Sequence, residues 1–197
     1  MGFEKVIEFE SKIANFFGSP YAVAVDSCTH GIELCIRLLN VKIIKVPHRT
    51  YLSIPFLSNK LNLKREWDPK QWEEYYFLSD KIIDAAVLWR KDSYIINTFM
   101  CVSFQFQKHL SLGKGGIILC PNKKYYDILK KMSYDGREPN IPWRDQDIDT
   151  IGYHYYMTPE TAELGLKKLA TAIKANPKKW EYEDWPDLTK MKIFKNG

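Results

Sequence analysis

The sequence predicts an α/β protein, in which helices cover a sheet with parallel character. Short apolar runs alternate along the chain with segments of helical periodicity, the pattern typical of α/β folds. Hydrophobic residues make up 45% and charged residues 27% of the chain, as in an ordinary globular protein. Its 197 residues are enough for one domain with a sizeable core.

The first half of the chain contains a predicted helix–strand–helix–strand series. Apolar residues recur at helical spacing in FEKVIEFESKIANFFGS, and Gly18 and Pro20 end this helix. YAVAV is a strand that runs into the turn DSCTHG, after which IELCIRLLN resumes a helix. KIIKVP is a second strand, closed by Pro47, and SIPFLSNKL is a short helix despite Pro55. The polar, aromatic segment KREWDPKQWEEYYFLSD predicts a loop with one helical turn.

The second half supplies three more strands and two helices. KIIDAAVL is a strand that ends near Asp84, TFMCVSFQF is the fourth strand and GIILC is the fifth. NKKYYDILKKMSYDG is an amphipathic helix stopped by Gly136, and NIPWRDQDIDTIG is a loop. TPETAELGLKKLATAIKAN is a helix with Thr158 as its N-cap and Pro159 at its first position. We expect residues 1–150 to form the main α/β domain, and residues 151–197 to add a helix and a tail that pack on it.

Composition argues against several classes of function. The net charge is +5, but the lysines are interleaved with acidic residues and no nucleic-acid-binding motif is present, so we expect no nucleic-acid partner. No apolar run is long enough to span a bilayer, and the acidic start of the chain is unlike a signal peptide. The four cysteines lack CxxC spacing and do not cluster with the histidines, which predicts reduced thiols, no metal site and a cytoplasmic protein.

Three groups of residues at predicted strand ends are candidates for ligand binding, because open α/β sheets bind ligands at the carboxyl ends of their strands. The turn DSCTHG offers the Ser27 and Thr29 hydroxyls and backbone N–H groups to a phosphate, although simple N-caps explain them equally. Asp84 is either a cap or a carboxylate that faces a protonated ring nitrogen.

Lys108 is the third candidate, because it ends an apolar strand ahead of a glycine-rich loop. Nearby aromatics would lower the pKa of its amine and favour Schiff-base chemistry, although most lysines are simply solvated. The glycines at 113, 115 and 116 permit close backbone approach, or merely form a turn between strands. These residues alone predict an α/β domain with a candidate phosphate site.

Five segments in order carry a family resemblance. They are YAVAVDSCTHGIELCI (21–36), PHRTYLSI (47–54), IDAAV (83–87), VSFQFQKHLSLGKGG (102–116) and GYHYYM (152–157). They resemble, in that order, YAVAVSSGTAALHLAL, P-x-x-T-[FWY]-x-[AS]-x, EDAAQ, FSF-x-x-x-K-x-x-x-x-GEGG and GYNYRM of the DegT/DnrJ/StrS sugar aminotransferases. That family consists of fold-type I enzymes that depend on pyridoxal 5'-phosphate.

The resemblance implies a fold, a cofactor and roles for particular residues. The fold would be the three-layer α/β large domain of a PLP-dependent transferase (aspartate aminotransferase-like), truncated and with little or no C-terminal small domain. Lys108 would form the Schiff base with pyridoxal phosphate and move the proton between cofactor and substrate. Asp84 would pair with the pyridine nitrogen, and Ser103, Thr29 and the backbone at Cys28 would hold the phosphate.

The resemblance also implies a reaction and an assembly. Tyr51 matches the aromatic residue that stacks on the cofactor ring. His154 stands where the family has an asparagine that reaches the phosphate from the neighbouring subunit, so a homodimer with shared active sites is expected. The implied function is the transfer of an amino group from an amino acid such as glutamate to a keto-sugar, in nucleotide-linked form.

Several positions depart from the family pattern. Cys28 replaces a glycine, Val87 replaces the glutamine, Lys114 replaces the acidic residue and Tyr156 replaces the arginine. The stretch between Tyr51 and Asp84 is also short for the strands and helices expected there. Two alternatives therefore stay open: another activity with pyridoxal phosphate, such as sugar dehydration, or a degenerate, non-catalytic member that serves as a binding or oligomeric partner.

Overall fold

The computed structural model describes residues 3–195 and contains a five-stranded sheet, a separate pair of strands and five α-helices. The strands are β1 Tyr21–Val25, β2 Ile43–Pro47, β3 Lys64–Asp68, β4 Tyr76–Phe77, β5 Ile82–Asp84, β6 Phe99–Ser103 and β7 Gly116–Cys120. The helices are α1 Phe3–Phe17, α2 Cys28–Leu38, α3 Ser53–Lys60, α4 Lys123–Ser133 and α5 Pro159–Lys174. Short 3₁₀ turns cover Trp143–Asp145, Tyr182–Asp184, Leu188–Lys190 and Lys192–Phe194.

The main sheet is mixed, with the strand order β1-β7-β6-β5-β4. Strand β7 pairs antiparallel with both β1 and β6, and β5 pairs parallel with β6, so β1, β6 and β5 run in the same direction. The predicted parallel character is thus confirmed for these three strands and wrong for β7 and β4. The reason is that no helix separates β6 from β7, and a connection without a crossover returns the chain antiparallel.

Helices cover both faces of the main sheet, which confirms the three-layer α/β prediction. Alternate residues of β1 point to opposite faces, as the pleat requires. Ala22 and Ala24 pack with α1 and α5 in one core cluster, while Val23 and Val25 pack with α2 and α4 in the other. The sheet is therefore buried on both sides, and only its edges and strand ends can present side chains to a ligand.

Most predicted helices are confirmed at their ends. Helix α1 stops at Phe17, where Gly18 takes the left-handed conformation (φ 74°). Thr158 caps α5 by accepting the Thr161 N–H at 3.3 Å. Helix α2 begins earlier than predicted, at Cys28, because Ser27 caps it by accepting the His30 N–H at 3.2 Å.

The polar segment predicted as a loop with a helical turn instead contains strands β3 and β4. Strand β3 pairs only with β2, in parallel, and it remains partly exposed along its length. A strand in a small, solvated sheet needs no alternating apolar residues, so the sequence gives no periodic signal for it. Within residues 3–195 no helix is both long and apolar enough to cross a bilayer.

Candidate active site

A cavity of about 440 Å³ opens where the carboxyl ends of β1, β5 and β6 meet at one edge of the sheet. A volume of this size is typical of a site for a small molecule. Six of the seven predicted site residues line it: Cys28, Thr29, Tyr51, Asp84, Ser103 and Lys108. The structure thus brings together residues that lie far apart in the sequence.

The N-terminus of α2 forms the anion-binding part of the cavity wall. The first N–H groups of a helix have no intrahelical acceptor, and here they belong to Cys28 and Thr29. The Thr29 hydroxyl lies 2.7 Å from the Ser53 hydroxyl. Gly116 lies directly behind this turn, because a Cβ at that position would be only 2.4 Å from the Cys28 nitrogen. The close approach explains why this residue is glycine and holds the end of α2 in place.

Asp84 is a buried carboxylate, with only 4% of its surface exposed. Its Oδ1 accepts the Ala86 N–H at 3.0 Å and its Oδ2 accepts the Tyr76 hydroxyl at 2.5 Å. Burial raises the pKa of Asp84 above its ordinary value, while the two hydrogen bonds act in the opposite direction. A buried anion without a paired cation would bind a positively charged ligand group strongly.

Lys108 lies in the turn after β6 rather than at a strand end, because β6 stops at Ser103. Its Nζ is 4.4 Å from the ring centre of Trp180 and 5.3 Å from that of Trp185. Burial lowers the pKa of Lys108, an effect that the negative charge of Asp84 opposes. Within the described chain no carboxylate forms an ion pair with this ammonium group. A lysine with a lowered pKa is a better nucleophile at neutral pH.

The remaining predicted residues of the cavity have distinct environments. Ser103 is buried, and its hydroxyl accepts the Gln105 N–H at 3.3 Å, which leaves its own proton free to be donated. The Cys28 thiol points to the Cys101 carbonyl at 3.4 Å, and burial raises its pKa well above the ordinary value, so it is an uncharged thiol. Tyr51 is 59% exposed and lies at the cavity mouth.

His154 is not part of this cavity. Its side chain is exposed, with Nδ1 3.0 Å from Asp135 Oδ2 and its ring against Tyr156. The predicted contact to a neighbouring subunit therefore stays a prediction.

Sequence reasoning missed three aromatic cavity residues that lie outside the five family segments. Tyr76 and Trp72 come from the segment that was predicted as a loop, and Trp185 comes from the C-terminal tail. Trp72 donates its indole N–H to the Arg49 carbonyl at 2.8 Å, while the buried indole nitrogen of Trp185 has no partner in the described chain. The only available signal was the abundance of aromatic residues in these two segments. Between residues 3 and 195, no group of three potential metal ligands comes together.

Comparison with known proteins identifies relatives of the chain. The profile of the DegT/DnrJ/EryC1/StrS aminotransferase family matches residues 1–54 and 94–183. MJ1066, an uncharacterized protein of Methanocaldococcus jannaschii, is 22% identical over 229 aligned residues, which cover 85% of this chain and 57% of MJ1066.

Solved structures share the fold. AtS13 from Actinomadura melliaura superposes with a TM-score of 0.75 at 21% identity, covering 85% of this chain and 60% of that one. The sugar aminotransferase CalS13 from Micromonospora echinospora gives a TM-score of 0.68 at 16% identity, with coverage of 85% and 60%. The chain therefore spans less than two thirds of the length of these proteins.

Proposed function

Because this chain belongs to the DegT/DnrJ/EryC1/StrS aminotransferase family, we propose that it is a pyridoxal-phosphate-dependent sugar aminotransferase whose active site is the cavity at the strand ends. One observation carries the proposal. An amine with a lowered pKa, a buried carboxylate and a helix N-terminus line the same cavity, at the positions of the family motifs. Each matches a separate chemical group of the cofactor.

The phosphate group fits the N-terminus of α2. Two backbone N–H groups without intrahelical acceptors and the positive end of the helix dipole favour a dianion there. The hydroxyls of Thr29 and Ser103 line the same cavity and can donate to phosphate oxygens. Cys28 stands in place of the family glycine, and its thiol is turned to the Cys101 carbonyl at 3.4 Å.

The pyridine ring fits the part of the cavity lined by Asp84. A protonated ring nitrogen would give this buried carboxylate the cation it lacks, and the ion pair would offset the cost of burial. The bound cofactor would supply an electron sink for the bond changes at the amino carbon. The role of Asp84 is to keep the ring nitrogen protonated, so that the sink remains effective.

Lys108 is the residue that we propose as nucleophile and proton carrier. Its lowered pKa increases the fraction of uncharged amine, which is the form that attacks an aldehyde. The rings of Trp180 and Trp185 lie beside its Nζ, where they contribute to the burial that lowers the pKa while their π faces attract the charged form. The Nζ would hold and return the proton during transfer of the amino group.

The substrates are proposed from family membership, from the similarity to the sugar aminotransferase CalS13 and from the residues that line the cavity. A keto-sugar, nucleotide-linked, would be the amino acceptor and an amino acid such as glutamate the donor. Tyr51, Trp72 and Trp185 offer aromatic faces of the kind that pack against sugar rings. A homodimer, with His154 reaching the phosphate of the neighbouring subunit, completes the proposal.

Borohydride trapping tests the cofactor assignment. Reduction of the protein mixed with pyridoxal phosphate is expected to leave a stable adduct on the peptide that contains Lys108, identified by mass spectrometry. Lys108→Ala should lose this adduct, whereas Lys123→Ala, which removes an exposed lysine on α4, should keep it. An adduct spread over surface lysines would contradict the assignment.

The amino-donor half-reaction tests the reaction class. Glutamate added to the loaded protein is expected to convert the absorbance of the pyridoxal form to that of the pyridoxamine form, without any sugar present. A protein that binds the cofactor but shows no conversion with a panel of amino acids would not be an aminotransferase. Sugar dehydration or a non-catalytic role would then replace the proposal.

A further inference from the structure

We infer that Tyr76, with Thr50 behind it, is a positioning residue that holds the Asp84 carboxylate ready for the ring nitrogen of the cofactor. This inference rests on the proposed function and adds to it a residue, Tyr76, that lies with Asp84 between the ranges 1–54 and 94–183 that the family profile matches.

A tight hairpin brings Tyr76 to Asp84. Strands β4 and β5 are antiparallel, and Tyr76 stands directly opposite Asp84 in their register. The Leu78 N–H donates to the Ile82 carbonyl at 2.8 Å and closes the turn between the strands. Directly opposed residues of an antiparallel pair place their side chains side by side on one face of the sheet. The contact therefore follows from the backbone register and does not depend on a flexible loop.

The hydroxyl groups form a directed chain of hydrogen bonds. The Tyr76 hydroxyl has one proton and donates it to Asp84 Oδ2 at 2.5 Å. The Thr50 hydroxyl lies 2.5 Å from the Tyr76 oxygen, so Thr50 must be the donor in that bond. Burial and the Asp84 charge raise the pKa of Tyr76 well above its ordinary value, so the phenol keeps its proton. All three side chains are buried, which fixes the direction of the chain.

The carboxylate retains capacity for another partner. Two carboxylate oxygens accept about four hydrogen bonds, and here only the Tyr76 hydroxyl and the Ala86 N–H are strong donors. Asp84 and Tyr76 both line the cavity, so a remaining lone pair of the carboxylate is available to a ligand. The phenol thus orients the carboxylate rather than replacing the ligand.

The phenol also favours the charged form of Asp84. Burial favours the protonated acid, and the hydrogen bond from Tyr76 is the largest of the effects that favour the carboxylate. Loss of the hydroxyl would shift the balance toward a neutral acid, which cannot form an ion pair with a protonated pyridine. Tyr76 therefore acts on the cofactor through Asp84, and only on a ligand that has a ring nitrogen.

Ligand binding to Tyr76→Phe tests this dependence. The affinity of the protein is measured by fluorescence titration for pyridoxal phosphate and for its analogue with carbon in place of the ring nitrogen. We expect Tyr76→Phe to weaken pyridoxal phosphate about tenfold, the effect of a hydrogen bond to a charged group. The analogue should bind the variant and the wild type within about twofold. Tyr75→Phe, which changes the preceding tyrosine, is the matched control and should change neither affinity.

Each contrary result has a distinct meaning. Equal weakening of both ligands would show that Tyr76 only shapes the cavity, and unchanged affinity for pyridoxal phosphate would show that the phenol is irrelevant; either overturns the inference alone. No binding of pyridoxal phosphate by the wild type would overturn the proposed function together with the inference. Thr50→Val keeps the test valid if Tyr76→Phe does not fold, since it should weaken pyridoxal phosphate selectively by a smaller factor, and no change there overturns the inference.

Discussion

Asp84 is the residue at which binding and stability oppose each other. The free protein holds a carboxylate among buried side chains, and its raised pKa shows that the charged form is disfavoured there. Functional sites commonly contain such groups, because a buried charge that destabilises the free protein can form a favourable ion pair with a ligand. A substitution that removes the charge of Asp84 should therefore raise the stability of the free protein and weaken ligand binding.

Asp84→Asn is expected to stabilise the free protein in a pH-dependent manner. The folded pKa of Asp84 lies above its unfolded value, so the folded state binds the proton more tightly. The wild type must then lose stability as the pH rises through the folded pKa. The variant lacks this loss. Thermal unfolding should therefore show similar stabilities of the two proteins near pH 4 and a difference in the free energy of unfolding that widens toward pH 8, on the order of 1 kcal/mol. A gap independent of pH would contradict the argument.

Gly116 is a second residue whose identity is fixed by contact. Gly116→Ala places a methyl group 2.4 Å from the Cys28 nitrogen, so the end of α2 must move. We expect a loss of about 1–3 kcal/mol in urea unfolding, as for overpacked sites, together with weaker binding of phosphate-bearing ligands. Gly113→Ala is the control, since it has a positive φ but no atom near its added Cβ. It should lose about 1 kcal/mol and leave ligand binding unchanged.

At the scale of elements, the C-terminal tail (residues 176–195) is the cover of the cavity. The Arg49 guanidinium donates to the Trp185 carbonyl at 2.6 Å, and the Leu188 N–H donates to the His48 carbonyl at 2.8 Å. Leu188 and Phe194 are buried, so the tail is anchored by apolar contacts as well. Anchoring at the two residues that follow β2 places Trp180 and Trp185 beside Lys108.

Leu188→Ala is expected to release this cover. Truncation of a buried leucine costs about 2–5 kcal/mol of stability. This loss should exceed the free energy that keeps the short tail docked on the cavity. Hydrogen exchange of residues 176–195 should accelerate, with the sheet unaffected. Leu164→Ala, in the partly exposed side of α5, should leave the tail protected. Unchanged exchange in Leu188→Ala would mean that other contacts hold the tail.

Elements with strong local signals could be predicted from the sequence. Helices α1 and α5 have clear periodicity and end signals, and β1, β5, β6 and β7 consist mainly of apolar residues. Strands β3 and β4 could not be predicted, because they are extended through pairing with β2 and β5 and their own composition gives no strand signal. The antiparallel direction of β7 could not be predicted either, because it depends on the absence of a helix between β6 and β7.

The candidate site divides in the same way. Lys108, Asp84 and Thr29 lie in segments that match family motifs, and all three line the cavity. Tyr76 and Trp185 could not be found, since their places depend on a hairpin register and on tertiary anchoring of an aperiodic tail. The sequence therefore identified the cavity residues at the edge of the sheet, but not the residues that cover the cavity.

At the scale of the whole molecule, the chain spans 57–60% of its relatives' length, and residues from distant parts of its sequence line the cavity. What it would lack, on the proposed function, is the phosphate contact from His154 of a second subunit. His154 is exposed and available for such a contact.

Mixing of two variants tests the shared site. Lys108→Ala and His154→Ala should each reduce the amino-donor half-reaction, and their mixture after dissociation and reassociation should recover about a quarter of wild-type turnover, since half the dimers then contain one intact site. Sedimentation must show dimers for the comparison to apply. Activity of the mixture equal to the mean of the separate variants would mean that each chain works alone.

The junction of α2 with β7 also sets when the site can exist during folding. Asp26 and Lys114, which flank this junction and form a 2.9 Å ion pair, are 88 positions apart in the chain. Contacts of such sequence separation form late, because loop closure precedes any gain from them. A phosphate-bearing ligand therefore finds no binding surface until these distant segments have met. The ligand should slow unfolding and leave the refolding rate unchanged. It therefore stabilises the folded protein without accelerating its folding.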